Sequence, residues 1–310
     1  MESNRRITGS WVAFVVFLGV ILHGCGTPRK QSTQTSTVQD GKSLLWEISK
    51  PGVSHKSYLF GTFHLLCRKD IQFSENLLQG LADSKTLYLE LDLEDPSNAV
   101  ALLKGMKMRG DTSMADLLSQ QQYNALSRFF EDSVHMGLSM VKQMKPALLS
   151  AMIYPSMMPC KSVVGMEQLL MAEAKERTIP VKGLETIADQ TAVFDQIPYK
   201  TQAMELIHMI DSIVQYKGYF NDMLATYLKQ DLNAIEASFS KEPGFDQQRP
   251  FLLDNRNKNW VNSLKNVLPK QPVFIAVGAG HLPGKMGLID LLRQEGYTVR
   301  AIDNTRKPAK

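Results

Sequence analysis

The sequence is short of cysteine, of net charge and of long apolar runs. Its 310 residues include 35 Lys and Arg against 31 Asp and Glu, so the formal net charge is only +4. No basic run and no basic patch interleaved with aromatic residues stands out, which argues against a nucleic-acid partner. The 3 cysteines include no CxxC pair, which argues against a zinc site built on thiolates. The chemistry of this chain must therefore come from other residue types.

The first 24 residues have the pattern of an export signal. Arg5 and Arg6 precede an apolar run over residues 11–22, which is shorter than the ~20 residues that a membrane span needs. The run ends in the tetrapeptide LHGC, which resembles the bacterial lipoprotein box. We therefore expect a lipoprotein signal peptide over 1–24 and a lipid anchor on Cys25. An uncut membrane anchor and ordinary secretion are the alternatives.

Polar segments flank a single predicted domain. Residues 25–42 lack apolar periodicity and predict a flexible tether between the anchor and the domain. Residues 43–304 have the length of one sizeable domain, and 305–310 form a polar tail. The lipid anchor implies a location at the bacterial cell envelope, either in the periplasm or on the cell surface.

Two cysteines remain inside the predicted domain, Cys67 and Cys160. In an exported protein they are candidates for a disulfide, although sequence alone does not set the distance between their Cα atoms. Cys67 lies three residues after His64, so a role as a metal ligand is the alternative. Structural cysteines, paired or free, are the favoured interpretation.

Apolar runs alternate with amphipathic segments along the domain, which predicts an α/β (α+β) fold. Residues 75–91 (ENLLQGLADSKTLYLEL) and 167–185 (EQLLMAEAKERTIPVKGLE) each run from a predicted helix to a predicted strand that ends near a glutamate. This internal similarity predicts two related β-α-β halves that form a central sheet. Helical patterning dominates residues 97–160, which we interpret as an insertion.

Two Gly-x-x-His tetrapeptides, one near each end of the domain, are the most informative feature. They are Gly61–His64 in YLFGTFHLL and Gly278–His281 in VFIAVGAGHLPG. Each follows a predicted strand, and a glycine three residues before the histidine predicts a turn that is closed to residues with a Cβ atom. The second motif leads towards a helix predicted from Gly284 to Glu295, whose N-terminus would favour an anionic group.

Four residues stand at the ends of predicted strands, the place where sites form in open α/β sheets. They are His64, Glu90, Glu185 and His281. Imidazole and carboxylate ligands together suit Zn, Mn, Fe or Co, and a glutamate that does not bind the metal can serve as a general base for an activated water. Taken singly, a histidine at a strand end is more often a structural hydrogen-bonding group, and a lone glutamate is usually solvated or salt-bridged.

These blocks together resemble a known family. YLFGTFHL, TLYLELD, VVGMEQLLMAEAKERTIPVKGLET followed by Gln190, Arg256-Asn257 ahead of Trp260, and VFIAVGAGHLPGKMGLIDLLRQEGYTV are similar to the TraB/PrgY/GumN family, which includes the Tiki proteins. The resemblance spans nearly all of residues 43–304. Glu167 stands where the family more usually has aspartate, and we expect this residue only to open a helix.

The resemblance implies two related α/β halves with a helical insertion and a Tiki or erythromycin-esterase-like core. It also implies a metal-dependent peptidase that uses both Gly-x-x-His motifs, a glutamate pair and manganese or cobalt, with zinc as a further candidate. Carried over to this chain, the metal ligands would be His64, His281 and Glu90. The catalytic residues would be Glu90, Glu185, Arg256 and Asn257, with the last two stabilising an oxyanion.

The sequence thus predicts a metal-dependent hydrolase, most concretely a peptidase at the cell envelope, with a peptide or protein as substrate and the membrane as a partner through Cys25. The division of ligand and general-base duties between Glu90 and Glu185 stays open. A lipoprotein that binds or sequesters a peptide signal without cleaving it is the alternative. A different hydrolysis, such as ester opening, would use the same His and Glu chemistry.

Overall fold

The computed structural model describes residues 41–92, 98–239 and 245–305. The expected signal peptide (1–24), the expected lipidation site Cys25 and nearly all of the expected tether lie outside these residues, as does the tail after residue 305. Within the described ranges, no helix combines the length and the apolar character needed to cross a membrane.

Among the described residues, eight strands form one large sheet and one small sheet. The strands are β1 (Leu45–Ser49), β2 (Ser57–Thr62), β3 (Leu66–Cys67), β4 (Leu87–Leu89), β5 (Val163–Val164), β6 (Val181–Gly183), β7 (Phe274–Gly278) and β8 (Thr298–Ile302). Six of them form a mixed sheet in the order β6-β4-β7-β2-β1-β8. β6, β4, β7 and β2 are parallel neighbours, whereas β1 is antiparallel to both β2 and β8. The predicted α/β class is confirmed.

Helices surround the sheet and also form a separate layer. They are α1 (Glu75–Ala82), α2 (Asn98–Gly105), α3 (Met114–Leu117), α4 (Gln120–Phe129), α5 (Pro146–Met157), α6 (Met166–Glu176), α7 (Ile187–Phe194), α8 (Tyr199–Asp211), α9 (Ile213–Leu228), α10 (Leu232–Phe239), α11 (Phe245–Arg249), α12 (Asn255–Leu264) and α13 (Leu288–Gln294). α3, α4, α5 and α8 enclose an apolar core of their own. The helical layer therefore draws on residues after 160 as well as on the range predicted as an insertion.

The register of β2 and β7 places the two Gly-x-x-His motifs side by side. β7 is buried along its whole length, as expected of a continuous apolar run at the centre of a parallel sheet. Gly61 pairs with Val277, and Thr62 pairs with Gly278. Because parallel strands end at the same edge of a sheet, both histidines leave the sheet on one side.

One element of the expected second β-α-β unit lies elsewhere. β5 does not join the large sheet but pairs with β3, with Leu66 opposite Val164. Cys67 of β3 forms a disulfide with Cys160, with Cα atoms 5.9 Å apart, which rules out a metal-binding thiolate at Cys67. The pairing turns the start of α6 back towards the first Gly-x-x-His motif.

The glycines of the two motifs do not adopt the left-handed backbone that the sequence predicted. Gly278 has φ −49° and ψ 134°, and Gly61 lies inside β2 without a positive φ. A Cβ atom on Gly61 would lie 3.1 Å from Cα of Ala279 and from Cδ2 of Leu282. Gly61 is therefore required by the close approach of the second motif and not by backbone freedom.

The helix expected from Gly284 to Glu295 is shorter than predicted. It begins at Leu288, because Gly284 has φ +87° and lies in the preceding turn. The anion-binding helix start predicted directly after the second motif is therefore absent from these residues, which are all described.

Candidate functional site

The carboxyl ends of β6, β4, β7 and β2 form the sheet edge that carries the candidate site. Glu185, Glu90, His281 and His64 follow these strands in that order across the edge. The Nε2 atoms of both histidines lie 3.9 Å from Oε1 of Glu90. The four side chains that the sequence placed at strand ends are thus brought together.

Arg256 of α12 lies among these residues and is only 6% exposed. Its Nη2 atom lies 2.6 Å from Oε2 of Glu90 and 2.6 Å from Oε1 of Glu185, and its Nε atom also donates to Glu185. Its Nη1 atom donates to the carbonyl oxygen of Leu252 and lies 3.2 Å from Nε2 of His281. All five N–H groups of the guanidinium therefore have partners.

The two glutamates differ in charge environment although they share Arg256. Burial raises the pKa of Glu90, but the guanidinium, the histidines and the backbone N–H of Gly278 outweigh it and lower the pKa to about 2. Burial also raises the pKa of Glu185, and Arg256 does not fully offset this, so that its pKa stays above the usual value. Glu90 is consequently the firmly ionised carboxylate of the pair.

His281 is completely buried and is oriented by Asn257. Its Nδ1 atom lies 2.6 Å from Oδ1 of Asn257, whose Nδ2 atom donates to the carbonyl oxygens of His281 and Met286. These donations fix the amide orientation, so Nδ1 carries the proton and Nε2 presents its lone pair. Burial, together with the charge of Arg256, lowers the pKa of His281 to about 3, which keeps the ring neutral.

His64 has the opposite environment. Its side chain is 29% exposed, and its Nδ1 atom lies 2.7 Å from Oε1 of Glu167, which also accepts a hydrogen bond from the hydroxyl of Thr62. Burial by itself would lower the pKa of His64, but the carboxylates of Glu167 and Glu90 outweigh it and raise the pKa to about 9. The ring is therefore cationic at neutral pH as long as no ligand competes for Nε2.

The expectation that Glu167 only opens a helix was wrong. It occupies the first turn of α6, and the tight packing of Gly165 on the carbonyl oxygen of His64 brings this turn to the first motif, since a Cβ on Gly165 would lie 3.0 Å from that oxygen. The signal was present in the sequence as an acidic residue three positions after the short strand β5. Its meaning depended on the β3–β5 pairing, which the sequence did not reveal.

Two further polar residues contact the glutamate pair without having been predicted as site residues. Gln190 of α7 donates to Oε2 of Glu90 and to Oε1 of Glu185. The indole N–H of Trp260 donates to Oε2 of Glu185, while its ring packs beneath the guanidinium of Arg256 at 4.8 Å. Both residues occur in the blocks that carry the family resemblance, which is the signal that could have found them.

A cavity of about 150 Å³ opens directly beside the histidine and glutamate side chains of the site. We call it the apolar cavity, and its polar end is formed by His64, Glu90, Glu167 and Gln190. Its walls are mostly apolar and include Phe63, Tyr154, Met171, Phe220, Met223, Tyr227, Ile235 and Phe239. Glu185, Arg256 and Asn257 do not line it, so they act from behind the residues that face the open space.

The sequence profile of the TraB/PrgY/gumN family matches residues 44–301 of this chain. The chain belongs to the TraB/PrgY/gumN family. The family resemblance inferred from the motifs is thereby confirmed, and the edge built from both Gly-x-x-His motifs lies wholly inside the matched range.

Individual TraB/PrgY/gumN relatives are distant. Metalloprotease TIKI2 of Danio rerio is 24% identical over 87% of this chain and 63% of its own length. Metalloprotease TIKI2 of Xenopus tropicalis is 26% identical over 89% of this chain and 61% of its own length. The chain thus spans about three fifths of the length of these relatives. The uncharacterized protein YbaP of Shigella flexneri is 25% identical over 82% of this chain and 94% of its own length.

The metalloprotease names of the Tiki relatives raise the question of whether the site of this chain suits a metal. The donor chemistry fits, because two imidazole Nε2 atoms face one carboxylate oxygen and the Nδ1 atom of each ring is held by another side chain. Yet within the described ranges no three His, Cys, Asp or Glu side chains form a metal-binding arrangement as they stand. The Nη1 atom of Arg256 lies 3.2 Å from Nε2 of His281 and therefore occupies the position that a metal on this nitrogen would need.

Proposed function

We propose that this protein is a metal-dependent hydrolase, most concretely a peptidase that acts at the cell envelope. The observation that carries the proposal is the position of one ionised carboxylate oxygen, Oε1 of Glu90, at 3.9 Å from the Nε2 atoms of two histidines. The names of the Tiki relatives support hydrolysis of peptides as the reaction, at about 24% identity.

In this proposal His64, His281 and Glu90 hold a divalent metal such as Mn, Co or Zn. Such an ion would supply Lewis-acid polarisation of a carbonyl group. The far nitrogen of each histidine is committed to a second side chain, Glu167 or Asn257, which fixes the ring and directs Nε2 towards Glu90. Glu167 and Asn257 are therefore positioning residues, and the oxyanion role first considered for Asn257 is not part of the proposal.

Arg256 and Glu185 form the second positioning pair. All donors of the guanidinium are engaged in this structure, so Arg256 serves to keep Glu90 ionised, and its Nη1 donor becomes available only when it leaves His281. Glu185 lies behind Arg256 and away from the apolar cavity, with both of its oxygens in hydrogen bonds. Of the two glutamates, Glu90 is thus the ligand, and Glu185 orients the cation that keeps it charged.

One observation favours the non-catalytic alternative, in which the protein binds a peptide and leaves it intact. Arg256 neutralises both glutamates and lies next to the lone pair of His281, so the polar group is already internally satisfied. A binding protein would keep this arrangement permanently. A metal-dependent enzyme must release the Nε2 atom of His281 from Arg256, because one lone pair cannot serve both.

The envelope location rests on residues 1–25 alone. A lipid on Cys25 would hold the domain at the membrane, and the polar stretch up to residue 42 would separate the two. Mass spectrometry of the protein purified from bacterial membranes tests this part, since a diacylglycerol-modified cysteine at the new N-terminus is expected. An unmodified N-terminus at Met1 would contradict it.

The central test combines metal analysis with turnover. The full chain is purified, analysed for bound elements, and incubated with a peptide library in the presence of Mn²⁺, Co²⁺ or Zn²⁺. We expect about one metal ion per chain and metal-dependent cleavage, both abolished in His64→Ala and His281→Ala. His208→Ala is the matched control, because His208 is exposed on α8 and should leave both measurements unchanged.

The outcomes separate the two candidates. Metal binding with cleavage supports the hydrolase. A peptide that binds and is recovered intact under every metal condition supports the binding protein. No metal binding, together with histidine variants that behave like the wild type, would overturn the proposed metal site.

A further inference from the structure

The proposed chemistry does not use the apolar cavity, yet the residues of the proposed metal site form part of its wall. His64, Glu90, Glu167 and Gln190 form one end, and the backbone of Gly278–Gly280 passes along the same side. The remaining walls come from the strand end after β2 and from α5, α6, α9 and α10. A group placed in the cavity would therefore touch His64, Glu90, Glu167 and Gln190 at one end and mostly apolar side chains elsewhere, with Thr226 and Ser238 among the polar exceptions.

The apolar walls are held in place by aromatic contacts. Tyr154 and Phe220 stack with ring centroids 5.4 Å apart, and Phe63 contacts both Phe220 and Tyr227. The hydroxyl of Tyr227 donates to the carbonyl oxygen of Gly61 at 2.9 Å, which ties the wall to β2. The pocket is thus largely formed in advance, as small-molecule and side-chain pockets usually are.

The size and lining of the cavity select the chemical class of its occupant. A cavity of about 150 Å³ accepts a group of roughly the size of benzene, which matches the side chain of Leu, Met or Phe. A charged side chain would lose its hydration against these walls, and the carboxylates at the polar end, Glu90 and Glu167, are already paired with Arg256 and His64. The thioethers of Met171 and Met223, both in the lining, can adapt to such apolar groups of different shape.

We propose that the apolar cavity is a specificity pocket. It binds an apolar side chain of the substrate, unbranched, branched or aromatic, next to the peptide bond to be cleaved, which lies at the polar end of the cavity. This inference deepens the proposed function and rests on it, because a specificity pocket requires a substrate that is cleaved. Gly278, Ala279 and Gly280 line the cavity next to its polar end, and the small size of these residues would let a peptide backbone approach there. Peptides with Leu, Met or Phe at one position are preferred over those with Gly, Asp or Lys there.

Binding is tested without turnover, with N-acetyl-L-leucine amide and N-acetyl-glycine amide as probes. The full chain carries [methyl-¹³C]methionine, and the resonances of Met171 and Met223 are followed during titration. We expect saturable shifts of these two methyl groups with the leucine probe and none with the glycine probe. Met140 is 78% exposed and serves as an internal reference that should not move.

Two pairs of variants locate the binding site. Thr226 lines the cavity, whereas Ala225, its neighbour on α9, is exposed. Thr226→Leu should fill the pocket and weaken leucine-probe binding at least about tenfold, as expected for a misplaced isobutyl group, and Ala225→Leu should leave it unchanged. Ser238→Leu, in the lining, and Ala237→Leu, exposed on α10, form the second pair.

The pairs keep the test decisive if one variant fails to fold, because circular dichroism identifies that variant and the other pair carries the comparison. Absence of saturable shifts at Met171 and Met223 would overturn the pocket, and so would equal weakening by the lining variants and their exposed neighbours. Probe binding without peptide cleavage under any metal would uphold the pocket and overturn the hydrolase. Cleavage with no preference for apolar residues would uphold the hydrolase and overturn the pocket.

Discussion

The two Gly-x-x-His motifs have the same internal spacing and lie at the ends of neighbouring strands, yet their histidines lie in opposite environments. His64 is 29% exposed, has a carboxylate on Nδ1, and its pKa is raised to about 9. His281 is fully buried, has an amide on Nδ1, and its pKa is lowered to about 3. A repeated motif thus determines where a side chain leaves the sheet but not the protonation state of that side chain.

The difference comes from the helices that cover each motif. α12 covers His281 and delivers Asn257, Arg256 and the ring of Trp260, whose centroid lies 4.4 Å from that of the imidazole. The start of α6 and the apolar cavity adjoin His64 and deliver Glu167. One imidazole is therefore neutral and held in orientation by an amide, and the other is a cation paired with a carboxylate.

Replacing Arg256 should break this contrast most severely. Arg256→Ala leaves Glu90 and Glu185 buried without their cation, and we expect the free energy of unfolding to fall by about 3–5 kcal/mol. The pKa of His281 should rise, because a positive neighbour is lost. Urea unfolding and NMR titration of the histidine ring protons measure the two effects.

Arg300→Ala is the control for that experiment. Arg300 is 65% exposed, and its partner Glu47 keeps a second cation in Lys56, so the loss of Arg300 should cost about 1 kcal/mol or less. A similar cost for the two arginine variants would mean that Arg256 does not compensate buried charge.

Removing the disulfide should loosen only the side of His64. Cys67→Ser with Cys160→Ser opens the link beside β3 and β5, and we expect a loss of about 2–4 kcal/mol in unfolding free energy. Amide hydrogen exchange should accelerate around residues 64–67 and 163–167. Exchange in β7 that accelerates to the same extent would contradict this localisation.

Replacing Asn257 by Asp should make the second motif resemble the first. A carboxylate on Nδ1 would stabilise the cationic ring, so the pKa of His281 should rise by at least about one unit. The lost donations to the carbonyl oxygens of His281 and Met286 should cost about 1–3 kcal/mol. NMR titration and urea unfolding provide the measurements.

Asn259→Asp provides the matched control, because Asn259 is exposed on the same helix and should change neither quantity. If His281 titrates at the same pH in Asn257→Asp and in the wild type, Asn257 does not set the state of this ring.

The reverse exchange, Glu167→Gln, should have the smallest effect and a clear dependence on pH. The pKa of His64 in the folded protein, about 9, lies above the unfolded value of 6.5. The pair therefore stabilises the folded protein fully below pH 6.5, and this contribution disappears as the pH rises to 9. Because His64 is partly exposed, we expect a change of about 1–2 kcal/mol across this window.

In Glu167→Gln the unfolding free energy should vary less between pH 6.5 and 9, and the pKa of His64 should fall. Glu173→Gln, which disrupts a partly exposed pair with Arg177 on α6, should keep the wild-type pH dependence. A wild-type protein whose stability is flat across this window would refute the assigned pairing.

Much of the sheet and its edge could be predicted, because strand identity depends on local patterns. Apolar runs and turn residues located β2, β4, β6 and β7, and parallel pairing then placed the residues that follow them on one edge. What could not be predicted are contacts made by helices distant in sequence. Glu167 meets His64 only because β5 leaves the large sheet to pair with β3.

The roles of Arg256 and Asn257 show the same limit. Their sequence position marked them as site residues, but the hydrogen bonds that commit their side chains depend on how α12 packs against β7 and the turn that follows it. Spacing along a helix shows which face a residue occupies and not which charge it meets. The apolar cavity likewise combines residues from β2, α5, α6, α9 and α10, which no local pattern connects.

By itself, the sequence determined the family, the α/β class and which imidazoles and carboxylates stand at strand ends, because these depend on residue type and local periodicity. Only the tertiary structure decided which histidine is buried, which partner holds it, and where the cavity opens. Protonation and binding depend on desolvation and on charges a few ångströms away, and those distances exist only once remote segments have packed together.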